Sequence, residues 1–207
     1  MCQVLLYSII KWFTDNLSKA AKKVGEFAAE AGKYTYDVGS KFEQSMSKVK
    51  AYSGAAGDDL TALENAAKKA GAETSKSASE SADALGFMAL AGWDTKEMLD
   101  GLMPILRASE AGTADLAITS DLVTDSMSAM GVATSDLVHY LDICTAAQSN
   151  SNTTLTGLLE AYIGCGGTLK NLNVPLEESA TLLGTLANRG KKASEAGNSL
   201  NSILVNL

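Results

Sequence analysis

His139 is the single histidine of the chain, so a Ser-His-Asp relay or a histidine-based metal site would have to be built on it alone. The spacing around it does not supply one. Asp136 lies three residues before it and Cys144 five after, and at that offset His139 and Cys144 point to different faces of a helix, as structural residues do. Cys2, Cys144 and Cys165 form neither a CxxC nor a Cys/His ligand spacing, and their odd number argues against a disulfide framework; reduced thiols in a cytosolic product are expected. Gly164-Cys-Gly-Gly-Thr-Leu-Lys170 has the flavour of a phosphate-cradling loop, yet it lacks the GxxxxGK[ST] spacing and a preceding strand, and reads as a helix–helix turn. Asp121 and Asp125, one turn apart, read as a solvated face instead of an acid–base pair. Glu177 and Glu178 fall in a first helical turn, where the macrodipole favours them. Met88, Met98, Met103, Met127 and Met130 read as core or as an adaptable interface. The expected chemistry is therefore that of packing and assembly: no enzyme, no cofactor, no metal and no small-molecule substrate.

The elements that carry these residues read as all-α. Of 207 residues, 46% are apolar and thirty-one are alanine, and only Pro104 and Pro175 interrupt the chain, which leaves long stretches of strong helix formers. The β-branched runs of a buried parallel strand are missing, apart from fragments like Ile203 to Val205, which argues against a doubly wound nucleotide fold. Charge is divided unevenly: residues 1–56 hold eight Lys against five Asp/Glu, residues 57–207 nine Lys/Arg against nineteen Asp/Glu. The acidic part would repel every phosphate of a nucleic acid. The apolar start, Met1 to Phe13, is interrupted by Ser8 and Lys11 and has no basic leader, so it is neither a signal peptide nor a membrane span.

From Phe13 the apolar residues step by four and three through Leu17, Ala20, Val24, Phe27, Ala31, Tyr34 and Val38, the seam of a heptad repeat. An extra four-residue step to Phe42, Met46, Val49 and Tyr52 is a stutter, and the helix is expected to run to about Ser53. Gly25, Gly32 and Gly39 each weaken it by about 1 kcal/mol relative to Ala. Such a helix needs a partner along its seam. That partner is either another copy in a parallel bundle or the chain's own domain, folded back.

Residues 54–57 break the pattern and separate segment 1–53 from a body of residues 57–207, expected as a compact multi-helix array. Asp58 is expected to cap the first body helix, running toward Gly71, and Ser77-Ala-Ser-Glu80 is a capping box opening the next, which stops at Gly92. Asp94-Thr-Lys-Glu97 caps a helix that Pro104 must kink or divide. Trp93, between the stop glycine and the cap, anchors that turn. Further helices are expected from about Thr113 to Gly131, from Thr134 or Ser135 past Cys144, from Leu155 to Ile163 with a stop at Gly164-Cys-Gly-Gly167, from Pro175 to Gly190, and from about Ser194 onward. Ser149–Thr154 reads as a polar loop. Gly71, Gly92, Gly112 and Gly131 are spaced like a stack of helix–turn units, but no motif repeats with them, which favours an orthogonal array over a solenoid.

The string Ala91-Gly-Trp-Asp-Thr-Lys-Glu-Met-Leu-Asp-Gly-Leu102 resembles the tape-measure proteins of long-tailed bacteriophages. Ala91, Gly92, Trp93, Met98, Leu99 and Gly101 carry the motif. Other pieces agree in order: Phe42-Glu-Gln-Ser-Met-Ser-Lys-Val49, Ser77-Ala-Ser-Glu80, Thr119-Ser-Asp-Leu-Val-Thr-Asp125, Ser149-Asn-Ser-Asn152 and Ala187-Asn-Arg-Gly190. The resemblance covers roughly residues 36–207. It implies a mostly helical structural protein, packed inside the tail tube as parallel copies and setting tail length during assembly. The implied partners are sister copies, the tail tube protein, tail assembly chaperones and the host membrane, and the implied location is the virion tail after assembly in the host bacterial cytoplasm. At about 1.5 Å per residue a fully helical chain of this length reaches only roughly 310 Å, so the chain is expected to be the amino-terminal conserved region of a longer protein, a fragment of it. A membrane-binding helical protein is the competing expectation, because Val4 to Phe13 is apolar and Lys11, Lys19, Lys22 and Lys23 suit an anionic surface.

Overall fold

The computed structural model describes the backbone of residues 2–206 and the side chains of residues 19–206, so Phe13 and Leu17 of the seam lie outside the described side chains. Helices α1 (Cys2–Ser53), α2 (Asp58–Glu73), α3 (Ala78–Leu90), α4 (Thr95–Ala111) and α5 (Leu116–Met130) lead to a 3-10 turn at Thr134–Asp136. After it come α6 (Leu137–Asn150), α7 (Leu155–Asn171), α8 (Leu176–Asn188) and α9 (Ala193–Val205). Among the described residues there is no strand, and the fold is all-α. The chain divides into two compact units, Met1–Glu43 and Gln44–Leu207.

In the first unit the described part of α1 has a solvated polar face. Lys22 pairs with Glu26 at 4.0 Å across one turn. Its seam is solvated too: Val24, Phe27, Tyr34 and Val38 are exposed, Phe27 to 72%. The last turns of α1 belong to the second unit, where Met46 and Val49 are buried and Lys48 reaches Asp83 at 3.5 Å.

The second unit is a two-layer stack of four helical hairpins. The layers follow from the packing: α2, α4, α6 and α8 pack in succession on one side, and α3, α5, α7 and α9 on the other. The second helix of each hairpin begins after Ser77, Asp115, Thr154 and Lys192, positions 38, 39 and 38 residues apart. The array is thus the solenoid arrangement that the glycine spacing hinted at, with a period set by pairs of helices. The period is hidden because the caps differ chemically. Ser77 and Glu80 form a capping box, Asp115 and Thr154 cap by single bonds to Ile118 and Gly157, and Lys192 caps by backbone geometry alone.

The other helix ends repeat as well. At five corners a residue with left-handed backbone, Gly92, Thr113, Gly131, Asn173 or Gly190, turns the chain. The next amide then bonds back five residues: Trp93 to Met88, Ala114 to Ser109, Val132 to Met127, Val174 to Leu169 and Lys191 to Leu186. Successive turns are laced together. Ser75 donates its amide to Glu110 Oε1 at 2.9 Å and Lys76 Nζ donates to the Ala114 carbonyl at 3.0 Å. Asn152 takes the same place two hairpins on, donating its amide to Asn188 Oδ1 at 2.7 Å and accepting from Lys192 Nζ at 2.8 Å.

Several expected boundaries are corrected. The helix expected to stop at Ile163 runs through Gly164, Gly166 and Gly167 to Asn171: Gly164 and Gly166 are interface positions, a Cβ on Gly166 lying 2.9 Å from the Ala129 carbonyl carbon of α5, and Gly167 is an exposed helical position. Pro104 does not divide α4, which stays continuous from Thr95 to Ala111. Asp58 is the first residue of α2, with Gly57 at the cap, and α5 is capped by Asp115 after the left-handed Thr113. The loop expected at Ser149–Thr154 starts later, since α6 includes Asn150.

Candidate functional site

Two places gather the singled-out residues, the motif corner between α3 and α4 and the α1 seam. At the corner, α3 ends at Leu90, Ala91 is exposed, and Gly92 takes φ +85°, which a side chain would oppose. The turned backbone sends the Trp93 amide to the Met88 carbonyl at 3.1 Å and drops the indole, 9% exposed, onto α4. Asp94 then caps α4 reciprocally with Glu97: Glu97 N donates to Asp94 Oδ1 at 2.8 Å, and Asp94 N donates to Glu97 Oε2 at 2.8 Å. The second Glu97 oxygen accepts from Thr134 Oγ1 at 2.7 Å and ties the corner to the turn before α6. Met98 is buried, Leu99 half-buried, and Gly101 makes room for the indole, since a Cβ there would lie 2.5 Å from Trp93 Cζ3 and 3.3 Å from Leu137 Cδ2. Gly92, Trp93, Met98 and Gly101 thus have local structural tasks.

On the seam, Ala20, Val24, Phe27, Ala31, Tyr34 and Val38 all lie exposed along α1, with Gly25, Gly32 and Gly39 beside them. Among the described residues of its own unit, no side chain covers this apolar stripe. Chemistry is sparse elsewhere. His139 is exposed and its Nε2 stands 3.2 Å from Glu177 Oε1 of α8, away from Cys144. Cys144 and Cys165 are buried, and burial pushes their thiols up to about 12 and about 11, out of the range in which a thiolate forms. They sit beside a polar centre in the core. There the Tyr140 and Tyr162 rings meet at a tilt with centroids 5.9 Å apart, Tyr140 donates to Ser126 Oγ at 2.8 Å, and Tyr162 shares a hydrogen bond with Ser179 at 3.1 Å. Asp121 is raised by partial burial and by Asp125, and both carboxylates face solvent. Met88, Met98, Met127 and Met130 are core, whereas Met103 is half-buried at a groove of about 370 Å³ between α4 and α6. Among the described residues no His/Cys/Asp/Glu cluster fits a metal ion, and no helix is long and apolar enough to cross a membrane.

Sequence reasoning missed Ser75 and Glu110 and read Thr134 only as a helix start, although their side chains join separate turns. No local pattern marks them, because each partner lies 35 or more residues away.

Known proteins agree with this reading of a packing module. The family of phage-related minor tail proteins matches residues 64–207. The tape measure protein of Pneumococcus phage Dp-1 is 29% identical over 167 residues, which cover 81% of this chain and 14% of that protein. The probable tape measure protein of Escherichia phage P2 is 25% identical over 171 residues, 82% of this chain and 21% of that protein. The chain therefore spans about a seventh and about a fifth of the length of these two relatives. No solved structure matches it. With the family match extending from α2 to the last helix, the chain belongs to the phage-related minor tail protein family.

Proposed function

We propose that this chain is the amino-terminal region of a tail tape measure protein, acting by assembly and not by turnover in the setting of tail length. Residues 57–207 supply the family's packing module, and residues 1–53 supply a helix that lies side by side with its copies. The observation that carries the reading is the seam of α1: Val24, Phe27, Tyr34 and Val38 form one apolar stripe, and all four are solvent-exposed. Large residues at Phe27 and Tyr34 alternate with Ala20 and Ala31, a mixed seam that packs against copies of itself in parallel. The three adjacent glycines cost about 3 kcal/mol in total, so the bundle is stable only when copies are concentrated, as in a tail tube. Tail tube protein and tail assembly chaperones are the partners for the remaining surface, with assembly in the host cytoplasm.

Two measurements test this. In the phage or prophage that encodes the chain, loss of the gene should leave tails absent or of irregular length in electron micrographs; normal tails of one length would sink the proposal. Val24→Asp with Phe27→Asp should convert self-associating full chain to monomer in sedimentation while the helical signal of the body persists. If wild type is monomeric at high concentration, the seam is not a bundle interface.

A further inference from the structure

The apolar seam of α1 is bordered by two flanks of opposite kind. The residue before each seam position from Ala20 to Val38 is long or charged: Lys19, Lys23, Glu26, Glu30, Lys33 and Asp37. The residue after each is small: Ala21, Gly25, Ala28, Gly32, Thr35 and Gly39. Successive residues of an α-helix turn by about 100°, so the two sets form continuous stripes on either side of the seam. All twelve positions are exposed. The Thr35 hydroxyl donates to the Ala31 carbonyl at 2.9 Å and is satisfied within its own helix.

The glycines have no explanation inside one chain. All three lie within the helix, so no left-handed turn calls for them, and a Cβ on Gly25, Gly32 or Gly39 would meet nothing within 4 Å. Each nevertheless weakens the helix relative to almost any other residue.

We propose that the α1 bundle joins unlike flanks: the charged flank of each copy lies over the bare flank of the next, with the large residues of the seam beside it. The occupant of the bare flank is thus a second copy of this chain, and the inference rests on the self-association proposed above. In a parallel pair the flank before the seam of one helix faces the flank after the seam of the other, which brings Lys23 opposite Ala28 and Glu30 opposite Thr35. The aliphatic stems of Lys23, Glu30 and Lys33 cross the floor at Gly25, Ala28 and Gly32, and their charged ends reach water beyond it. An antiparallel pair would join like flanks. Phe27 and Tyr34 in the seam hold the helix axes about 10 Å apart, so two bare flanks would face each other across an unfilled gap. The difference between the flanks therefore selects copies that run the same way.

Gly25→Gln with Gly32→Gln in the full chain tests this. Glutamine is uncharged and a better helix former than glycine, so a bundle held by the seam alone should tighten. Where the flank seats a neighbour, the new side chains take the place of its stems, and the dissociation constant from sedimentation equilibrium should rise roughly tenfold. Ala29→Gln, on the side of α1 opposite the seam, should leave that constant nearly unchanged. Direction is read by cross-linking: with Cys2→Ser in both chains, Lys23→Cys mixed with Ala28→Cys should form the mixed disulfide faster than either forms one with itself, Cys144 and Cys165 being buried. In a wild type that self-associates, unchanged or tighter association of the two-glutamine variant would overturn this inference alone. An equal loss with Ala29→Gln, or a mixed disulfide no faster than the self-linked ones, would do the same. A monomeric wild type would overturn both the inference and the association on which it rests.

Discussion

Replacing Gly101 with Ala should have opposite signs in two backgrounds. In the native corner the new Cβ would stand 2.5 Å from Trp93 Cζ3 and 3.3 Å from Leu137 Cδ2, and the indole is held by the turn at Gly92 and by burial to 9% exposure. Overpacking of a filled site costs about 1–3 kcal/mol, and Ala in place of Gly inside a helix returns about 1 kcal/mol. Gly101→Ala should therefore destabilise the wild type by about 1 kcal/mol. Trp93→Leu removes the ring that the Cβ would strike, itself costing roughly 2 kcal/mol, less than the full truncation of an aromatic residue. In that background the propensity gain remains and most of the clash is gone, so Gly101→Ala should stabilise by about 0.5–1 kcal/mol, a coupling of roughly 2 kcal/mol between the two positions. Urea unfolding of the four full-length chains, followed by circular dichroism at 222 nm, measures it. If Gly101→Ala stabilises the wild type, or costs the same with leucine at position 93, the indole is not what requires the glycine.

Other outcomes follow from single groups. Glu80 is held below its usual 4.5 by hydrogen bonds from the Ser77 amide and hydroxyl, and Glu110 likewise by those from the Ser75 hydroxyl and amide. The stability they contribute is complete above about pH 4.5 and is lost as pH falls through the lowered folded values, while Asp121, raised by burial and Asp125, contributes in the opposite sense. Glu80→Gln with Glu110→Gln should flatten the fall in melting temperature below pH 4.5, and an unchanged slope would show that the α2–α3 turn is not an acid-sensitive element. Cys144 and Cys165 should resist alkylation at pH 8 in the folded chain and react once urea is added, as peptide masses would show; ready labelling of the native chain contradicts their burial. Thr113 sits at φ 49°, where a β-branched residue is strained by about 1–2 kcal/mol, so Thr113→Gly should stabilise by about 0.5–1 kcal/mol after the glycine's added chain entropy. A lower midpoint in urea for that variant would show that the threonine is not strained there.

The helices were legible because their signals are local. Ser77 with Glu80 and Asp94 with Glu97 are capping boxes in the sequence and in the fold, and Gly92, Gly131 and Gly190 take the left-handed backbone that their positions after apolar runs imply. Gly164 and Gly166 misled because glycine answers two demands that sequence does not separate, a left-handed turn and a close approach of helices. Gly112 shows both sides of the problem. It reads as a stop, yet the left-handed residue is Thr113, and Gly112 is where a Cβ would meet the Leu155 Cβ at 3.0 Å. The stacking period was obscured for the same reason. Five corners use one backbone motif with three different residue types, so the repeat lives in hydrogen bonds and not in letters.

The motif that carries the resemblance to tape measure proteins is itself mostly turned inward or spent on its own corner. Trp93, Met98 and Gly101 are buried, Asp94 and Glu97 satisfy each other's backbone, and Lys96 pairs with Asp100 at 2.7 Å. The buried and mutually capped residues among them serve the corner itself, so this part of the motif specifies the fold and leaves the partner open. Recognition has to fall on surface that folding leaves unsatisfied. In α1 that surface is the stripe of Val24, Phe27, Tyr34 and Val38, all four solvent-exposed. Its large residues alternate with Ala20 and Ala31, a spacing that suits a copy of the same helix in parallel. Phe27→Asp should therefore lower self-association in sedimentation while leaving the Trp93 corner, and with it the urea midpoint of the body, unchanged; a shifted midpoint would show that α1 and the body are not independent.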